Sequence, residues 1–303
     1  MTAALRVEGL VKRFGRAVAL DGLDVTVPEG VLCGLVGPNG AGKTTAFSIV
    51  SGFLWPDAGT VDVLGMGPFD VGVHKGRVGV LPQDAELPGR HTPRELLTHL
   101  GRLSGLGREA AQVEAARWLE AVHLEDRRDV RIDSLSHGMR RRVAVASALV
   151  GSPRLVLLDE PTAGLDPMQA RSLRELLQRL RGAMTVVISS HNLLELELLC
   201  DWVILMDRGR AIAQGPLAEV TGRRERVEWV LAPGSFDPQA LVSALPEHGV
   251  RLEGDLLSVL IPAAADPDAT CLTVMRVLVA QGVAAREQRR GVSLEDRLIE
   301  GSR

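Results

Sequence analysis

The sequence predicts an α/β fold: a mostly parallel sheet with crossover helices and an inserted helical subdomain, followed by a small α+β domain. Three observations support this. Val31–Val36, Arg77–Leu81, Leu155–Leu158, Thr185–Ser189 and Trp202–Met206 are short, largely apolar runs, the pattern of strands buried on both faces. Helical stretches separate them, which makes parallel strands with helical crossovers the natural architecture. The chain has 303 residues, 46% hydrophobic and 24% charged, enough for a full-sized core and a second, smaller one.

Taken in order, Leu5–Val27 reads as short strands with turns at Gly15–Arg16 and Asp21–Gly22. Val31–Val36 is the first central strand and ends at Gly37-Pro38. Pro93–Val150 is rich in arginine and helical in pattern, and it interrupts the strands as a helical subdomain over about residues 85–150. The pattern changes after Gly215. Arg226–Leu231 reads as strand, Pro238–Leu245 as helix, and Val250–Glu253 and Leu256–Ile261 as two strands split by Gly254–Asp255. Pro267–Gln281 reads as a helix with Cys271, Val274, Met275 and Leu278 on one face, and Val283–Gln288 as a last strand. This βαββαβ order resembles a ferredoxin-like fold. The expected domains are residues 1–222 and 223–303.

A formal net charge of −3 supplies no basic field for nucleic acid, and none is expected as a partner. The run Arg140–Arg142 reads as a solvated helix face. No apolar run approaches the roughly 18 residues that cross a bilayer. Met1–Leu10 lacks the basic start and apolar stretch of a signal peptide. If the protein serves a membrane, it is expected to do so through a partner, from the cytosolic face. Cys33, Cys200 and Cys271 show no metal-ligand spacing and are expected to be buried free thiols. Lys12, Lys43 and Lys75 are the only lysines, so each stands against a strong arginine bias.

Lys43 lies in the run Gly37, Pro38, Asn39, Gly40, Ala41, Gly42, Lys43, Thr44, which fits a phosphate-binding loop between a buried strand and a helix. Glycines let backbone N–H groups turn inward on phosphate, and the following helix, with Thr45 in its first turn, presents its positive end. Lys43 supplies a compact ammonium to the β- and γ-phosphates of ATP, where a guanidinium is too wide. The Thr44 hydroxyl is a Mg²⁺ ligand. Downstream, the apolar run from Leu155 ends abruptly in Asp159 and Glu160. At a strand's carboxyl end beside a phosphate loop, Asp159 is placed to hold Mg²⁺ and Glu160 to polarise the attacking water.

With these residues the chain, over about Leu5–Gly215, resembles the nucleotide-binding subunits of ABC transporters, a P-loop NTPase cassette. Leu135, Ser136, His137, Gly138 and Met139 resemble the family's signature, and Ala163–Asp166 its D-loop. Gln83 resembles the Q-loop glutamine, a further Mg²⁺ ligand and catalytic residue. His191 resembles the switch histidine, and Phe14 the aromatic that stacks on adenine. The resemblance implies a head-to-tail dimer of two copies, in which Ser136 and Gly138 of one reach the γ-phosphate bound by the other. It also implies a transmembrane permease as partner, with the chain peripheral on the inner face of the membrane. His137 and Met139 depart from the usual glycine and glutamine; Met139 before a basic run is similar to the drug-resistance exporter type. The C-terminal segment resembles the accessory domain of some exporter ATPases, and Ser293–Leu298 its terminal helix. Two other readings are a soluble ABC ATPase working without a membrane partner and an ATP-gated scaffold. The first usually carries two cassettes or a long coiled-coil insertion; the second is expected to lack Glu160 or His191.

Overall fold

The computed structural model describes residues 2–190, 193–221, 226–232, 236–262 and 265–291. The chain divides into two compact units, Met1–Gly215 and Pro216–Arg303.

The first unit opens with two long antiparallel strands, β1 (Ala3–Phe14) and β2 (Ala17–Pro28), which turn at Gly15–Arg16. Asp21–Gly22, expected as a turn, lies inside β2. Leu10 pairs with Leu23 but Val11 pairs with Asp21, so Gly22, at φ 73°, is an extra residue bulged from the ladder. A bulge and a turn make the same demand on glycine, and only the long-range pairing with β1 distinguishes them.

There follow β3 (Leu32–Val36), α1 (Lys43–Val50), β4 (Ala58–Val63), α2 (Val71–His74), β5 (Val78–Leu81), α3 (Pro93–Leu103), α4 (Arg108–Ala121) and α5 (His137–Leu149). The unit closes with β6 (Leu155–Asp159), α6 (Pro167–Arg179), β7 (Thr185–Ser189), α7 (Leu193–Leu199), β8 (Trp202–Asp207) and β9 (Arg210–Pro216). β4 pairs with β1 in a three-stranded antiparallel sheet, order β2-β1-β4. The main sheet has the order β5-β6-β7-β3-β8-β9 and is parallel from β5 through β8. Every residue of β3, β6 and β7 is buried, the physical reason for their unbroken apolar sequences. A core of Leu5, Val7, Leu23, Phe47, Leu157 and Ile204, among others, joins both sheets and α1. Helices α3, α4 and α5 pack on one another. The first of them starts from Thr92, whose hydroxyl accepts from Glu95 N at 3.2 Å while Glu95 Oε2 accepts from Thr92 N at 2.9 Å.

The second unit holds α8 (Leu217–Val220), β10 (Arg226–Leu231), α9 (Gln239–Ala244), β11 (Gly249–Glu253), β12 (Leu256–Leu260), α10 (Pro267–Ala280) and β13 (Ala285–Arg290). Its antiparallel sheet has the order β11-β12-β10-β13. Trp229, Leu241, Leu257, Val274 and Leu278 form a core of its own. On α10, Cys271, Val274 and Leu278 are buried, but Met275 is 39% exposed rather than part of the inner face. It stands about 100° around the helix from Val274 and falls outside that stripe. Ser293–Leu298 lie outside the described residues.

Candidate phosphate and metal site

Four neighbouring strands of the parallel sheet end together. β3 runs into residues 37–42, β5 leads to Gln83, β6 ends in Asp159, and β7 ends in Ser189. The carboxyl edge of such a sheet is where the fold leaves room for a ligand. His191, two residues past β7, lies outside the described residues.

The loop after β3 is shaped by its glycines. Gly40 and Gly42 have φ of 83° and 99°, the left-handed region. A β-carbon on Gly42 would come within 2.5 Å of the Ala19 carbonyl oxygen and 2.8 Å of Leu20 Cδ2, so this close approach tolerates no side chain. Around Gly40 the space is open. Gly37 and Ala41 are buried while Pro38, Asn39 and Gly40 face solvent. Lys43 folds back over the loop, its Nζ donating to Gly37 O at 2.6 Å and Pro38 O at 3.1 Å. Burial pushes the Lys43 ammonium below its ordinary pKa, and the Glu160 and Asp159 carboxylates oppose that shift. An ammonium above a glycine loop at a helix N-terminus fits a phosphate chain.

Thr44 Oγ1 lies 3.5 Å from Gln83 Oε1. Asp159 is buried, 3% exposed, and accepts the Ser189 hydroxyl through Oδ1. The oxygen donors Thr44, Gln83 and Asp159 suit a hard divalent cation such as Mg²⁺. Glu160 carries its side chain from a backbone at φ 51°, rare for a residue with a β-carbon and costing about 1–3 kcal/mol. Besides the local turn, in which Ala163 N donates to Glu160 O at 3.0 Å, two distant residues hold it there. Glu160 N donates to Ser189 O at 3.1 Å and Oγ at 3.2 Å, and Glu160 O accepts from Arg141 Nη2 at 2.7 Å.

Phe14 is 53% exposed at the end of β1, with Lys12 Nζ 5.7 Å from its ring centre. Ser136 caps α5 by accepting from Met139 N at 3.3 Å. Within the chain, the neighbours of the 136–138 segment are on the stretch after β6. The His137 ring lies against Gly164, and a β-carbon on Gly138 would clash with Gln169 Oε1 and sit 3.5 Å from Leu165 Cδ2. Cys33, Cys200 and Cys271 are buried and free, and burial pushes each thiol up.

Two residues at this edge escaped sequence reasoning. Ser189 was visible only as the polar end of an apolar run. Arg141 belongs to a run whose pattern predicts a solvated face, and the structure instead turns those guanidiniums onto backbone carbonyls. Arg140 donates to Leu135 O at 3.0 Å, Arg142 to Val122 O at 2.8 Å, and Arg141 is 9% exposed. All three guanidiniums serve backbone carbonyls: Arg140 that of Leu135 just before α5, Arg142 that of Val122 at the end of α4, and Arg141 those that follow β5 and end β6.

Comparison with known proteins places the chain among ABC transporter ATP-binding proteins. Residues 20–163 match the family model described as ABC transporter. The Nod factor export ATP-binding protein I of Mesorhizobium japonicum is 35% identical, over 88% of this chain and 78% of that protein. The daunorubicin resistance ATP-binding protein DrrA3 of Streptomyces coeruleorubidus is 35% identical, over 94% and 90%. The linearmycin resistance ATP-binding protein LnrL of Bacillus subtilis is 35% identical, over 72% and 71%. Among solved structures, CbiO1 of Clostridium perfringens, part of the ABC transporter complex CbiONQ, superimposes with a TM-score of 0.64 at 28% identity, over 74% of this chain and 92% of that one.

Proposed function

Since the chain belongs to the ABC transporter family as an exporter-type ATP-binding subunit, we propose that it binds and hydrolyses Mg-ATP at the carboxyl edge of its parallel sheet to power a separate transmembrane permease. The observation that carries this is the convergence of Lys43, Thr44, Gln83, Asp159 and Glu160 on that edge.

The loop 37–42 wraps the phosphates, Lys43 neutralises β- and γ-phosphate charge, and Thr45 extends the first turn of α1 beneath them. Thr44, Gln83 and Asp159 would hold Mg²⁺, which would supply charge neutralisation to the phosphates. Glu160 orients and polarises the water that attacks in line. Phe14 offers its exposed face to adenine, and His191 steadies the γ-phosphate. Ser136 and Gly138 act in trans, across a head-to-tail dimer closed by ATP. The solvent exposure of Ser136 in a single chain supports that reading. ATP can shift the dimer toward closure because its γ-phosphate is contacted from both sides only there.

A groove of about 520 Å³, lined by Gln83, Glu86, Leu87, Asp133, Arg140 and Arg141 among others, supports the permease as partner. No helix among the described residues is long and apolar enough to cross a membrane. The chain is proposed to sit on the cytoplasmic face of the membrane through that permease. We assign residues 1–222 to the cassette, counting α8 as its final turn although that helix belongs to the second compact unit, and 223–303 to a ferredoxin-like accessory domain. The βαββαβ order and the strand order β11-β12-β10-β13 support that assignment. ATPase activity with and without Lys43 tests the whole reading.

A further inference from the structure

We propose that Arg141 is a positioning residue for catalysis: one buried guanidinium ties the Gln83 loop to Glu160 and holds the glutamate in its water-polarising place. The inference rests on the proposed role of Glu160. Nη1 donates to Gln83 O at 3.2 Å, and Nη2 donates to both Asp159 O and Glu160 O at 2.7 Å. These three carbonyls belong to three residues of the candidate site, and they come from the ends of two different strands. Among the described residues no other side chain donates to all three.

The chemistry requires arginine. The acceptors are backbone carbonyls on two sides of the side chain, and a planar fork with separate donors spans them. Lysine keeps the charge but presents one nitrogen. The charge is held at a cost: burial lowers the Arg141 pKa, and Asp159, Glu160 and Asp84 offset that. Nε finds no partner although it is buried. The arrangement is therefore poor for stability alone and is explained by what it holds. Glu160 sits at φ 51°, a conformation its own sequence does not favour. Ser189 fixes its N–H, while its carbonyl accepts from Ala163 N at 3.0 Å in the local turn and from Arg141, which reaches it from another element, at 2.7 Å. The same guanidinium grips Gln83, so displacement of that loop reaches the Glu160 backbone through a single side chain.

The test is a double-mutant cycle with Arg141→Lys and Glu160→Gln, measured as kcat and KM for ATP in steady state and as single-turnover rates for the slow variants. Arg141→Lys alone is expected to lower kcat by about 10- to 100-fold, the scale of a misplaced catalytic group, while KM changes less than about twofold. In the Glu160→Gln background the same change is expected to have almost no further effect on rate. An equal fold-loss in both backgrounds overturns the proposal, as does a rise in KM with kcat unchanged. Arg141→Gln, which retains two N–H donors, serves as a second variant. Loss of ATP binding by both Arg141 variants would make the residue a structural support and also overturn the proposal. A wild-type rate for Glu160→Gln alone would instead remove Glu160 from the proposed function, and the single variant reads that outcome by itself.

Discussion

The hydroxyl of Thr44 lies 3.5 Å from Oε1 of Gln83, although 39 residues separate them in sequence. One lies in the first turn of α1 and the other follows β5, and β5 and β3 are separated in the sheet by β6 and β7. Two oxygen donors meet there because both loops fold over the same edge. Thr44→Ala removes one donor. The Mg²⁺ concentration for half-maximal ATPase activity is expected to rise by at least the roughly tenfold that loss of an outer partner costs a metal site. A Mg²⁺ titration at fixed ATP checks this, and chelation of the metal is expected to stop hydrolysis in both proteins.

Lys43→Ala is expected to abolish hydrolysis and weaken nucleotide binding, since the compact charge over the loop is lost. Lys43→Arg is expected to fail as well. The ammonium sits 2.6 Å from Gly37 O, a fit that a planar guanidinium does not reproduce. Equilibrium binding of a fluorescent ATP analogue, together with phosphate release, measures both effects.

The second unit is expected to unfold on its own. Trp229 is fully buried in the core around β10 and α10, which shares no member with the core of the main sheet. Trp229→Ala is expected to destabilise that unit by about 3–5 kcal/mol. The ATPase activity of the cassette is expected to survive. Two-probe denaturation, with hydrogen exchange of the β10 and β12 amides for one unit and nucleotide binding for the other, separates the transitions; tryptophan fluorescence does not, since Trp55, Trp118 and Trp202 all lie in the first unit.

Alkaline stability follows from the thiols. Cys33 and Cys200 are raised in the folded protein, by burial first and by neighbouring charge second. A raised acid binds more protons when folded than when unfolded, so stability is full below the unfolded pKa and falls as pH rises through it. The fall is expected to begin near pH 9, the ordinary thiol value, at about 1.4 kcal/mol per pH unit for each thiol. The chain has no tyrosine, so few other groups titrate there. Urea unfolding under reducing conditions at pH 8 and pH 10 measures the slope, and Cys33→Ala with Cys200→Ala is expected to flatten it.

The parallel sheet was legible because burial on both faces leaves continuous apolar runs such as Thr185–Ser189, which is a strand with those very bounds. The phosphate loop was legible because its shape depends on glycines and one lysine adjacent in sequence. What stayed hidden depends on partners distant in sequence. The bulge at Gly22 is set by pairing with β1. Arg141 reads as one of three surface arginines until α5 is packed against the end of β6. Ser189 looks like the last residue of a strand until its hydroxyl is placed on Asp159. Met275 fails for a smaller reason: a helix face drawn four residues wide includes a position that the sheet does not cover.

The central claim is that Glu160 activates water for ATP hydrolysis at this edge. The most direct measurement is gel filtration of Glu160→Gln with Mg-ATP, with hydrolysis followed in the same sample. The amide keeps the shape of the carboxylate and loses its basicity. The account predicts an ATP-dependent dimer that persists, with hydrolysis slowed by roughly 100-fold or more. A variant that stays monomeric with ATP bound, or that hydrolyses at the wild-type rate, would contradict it.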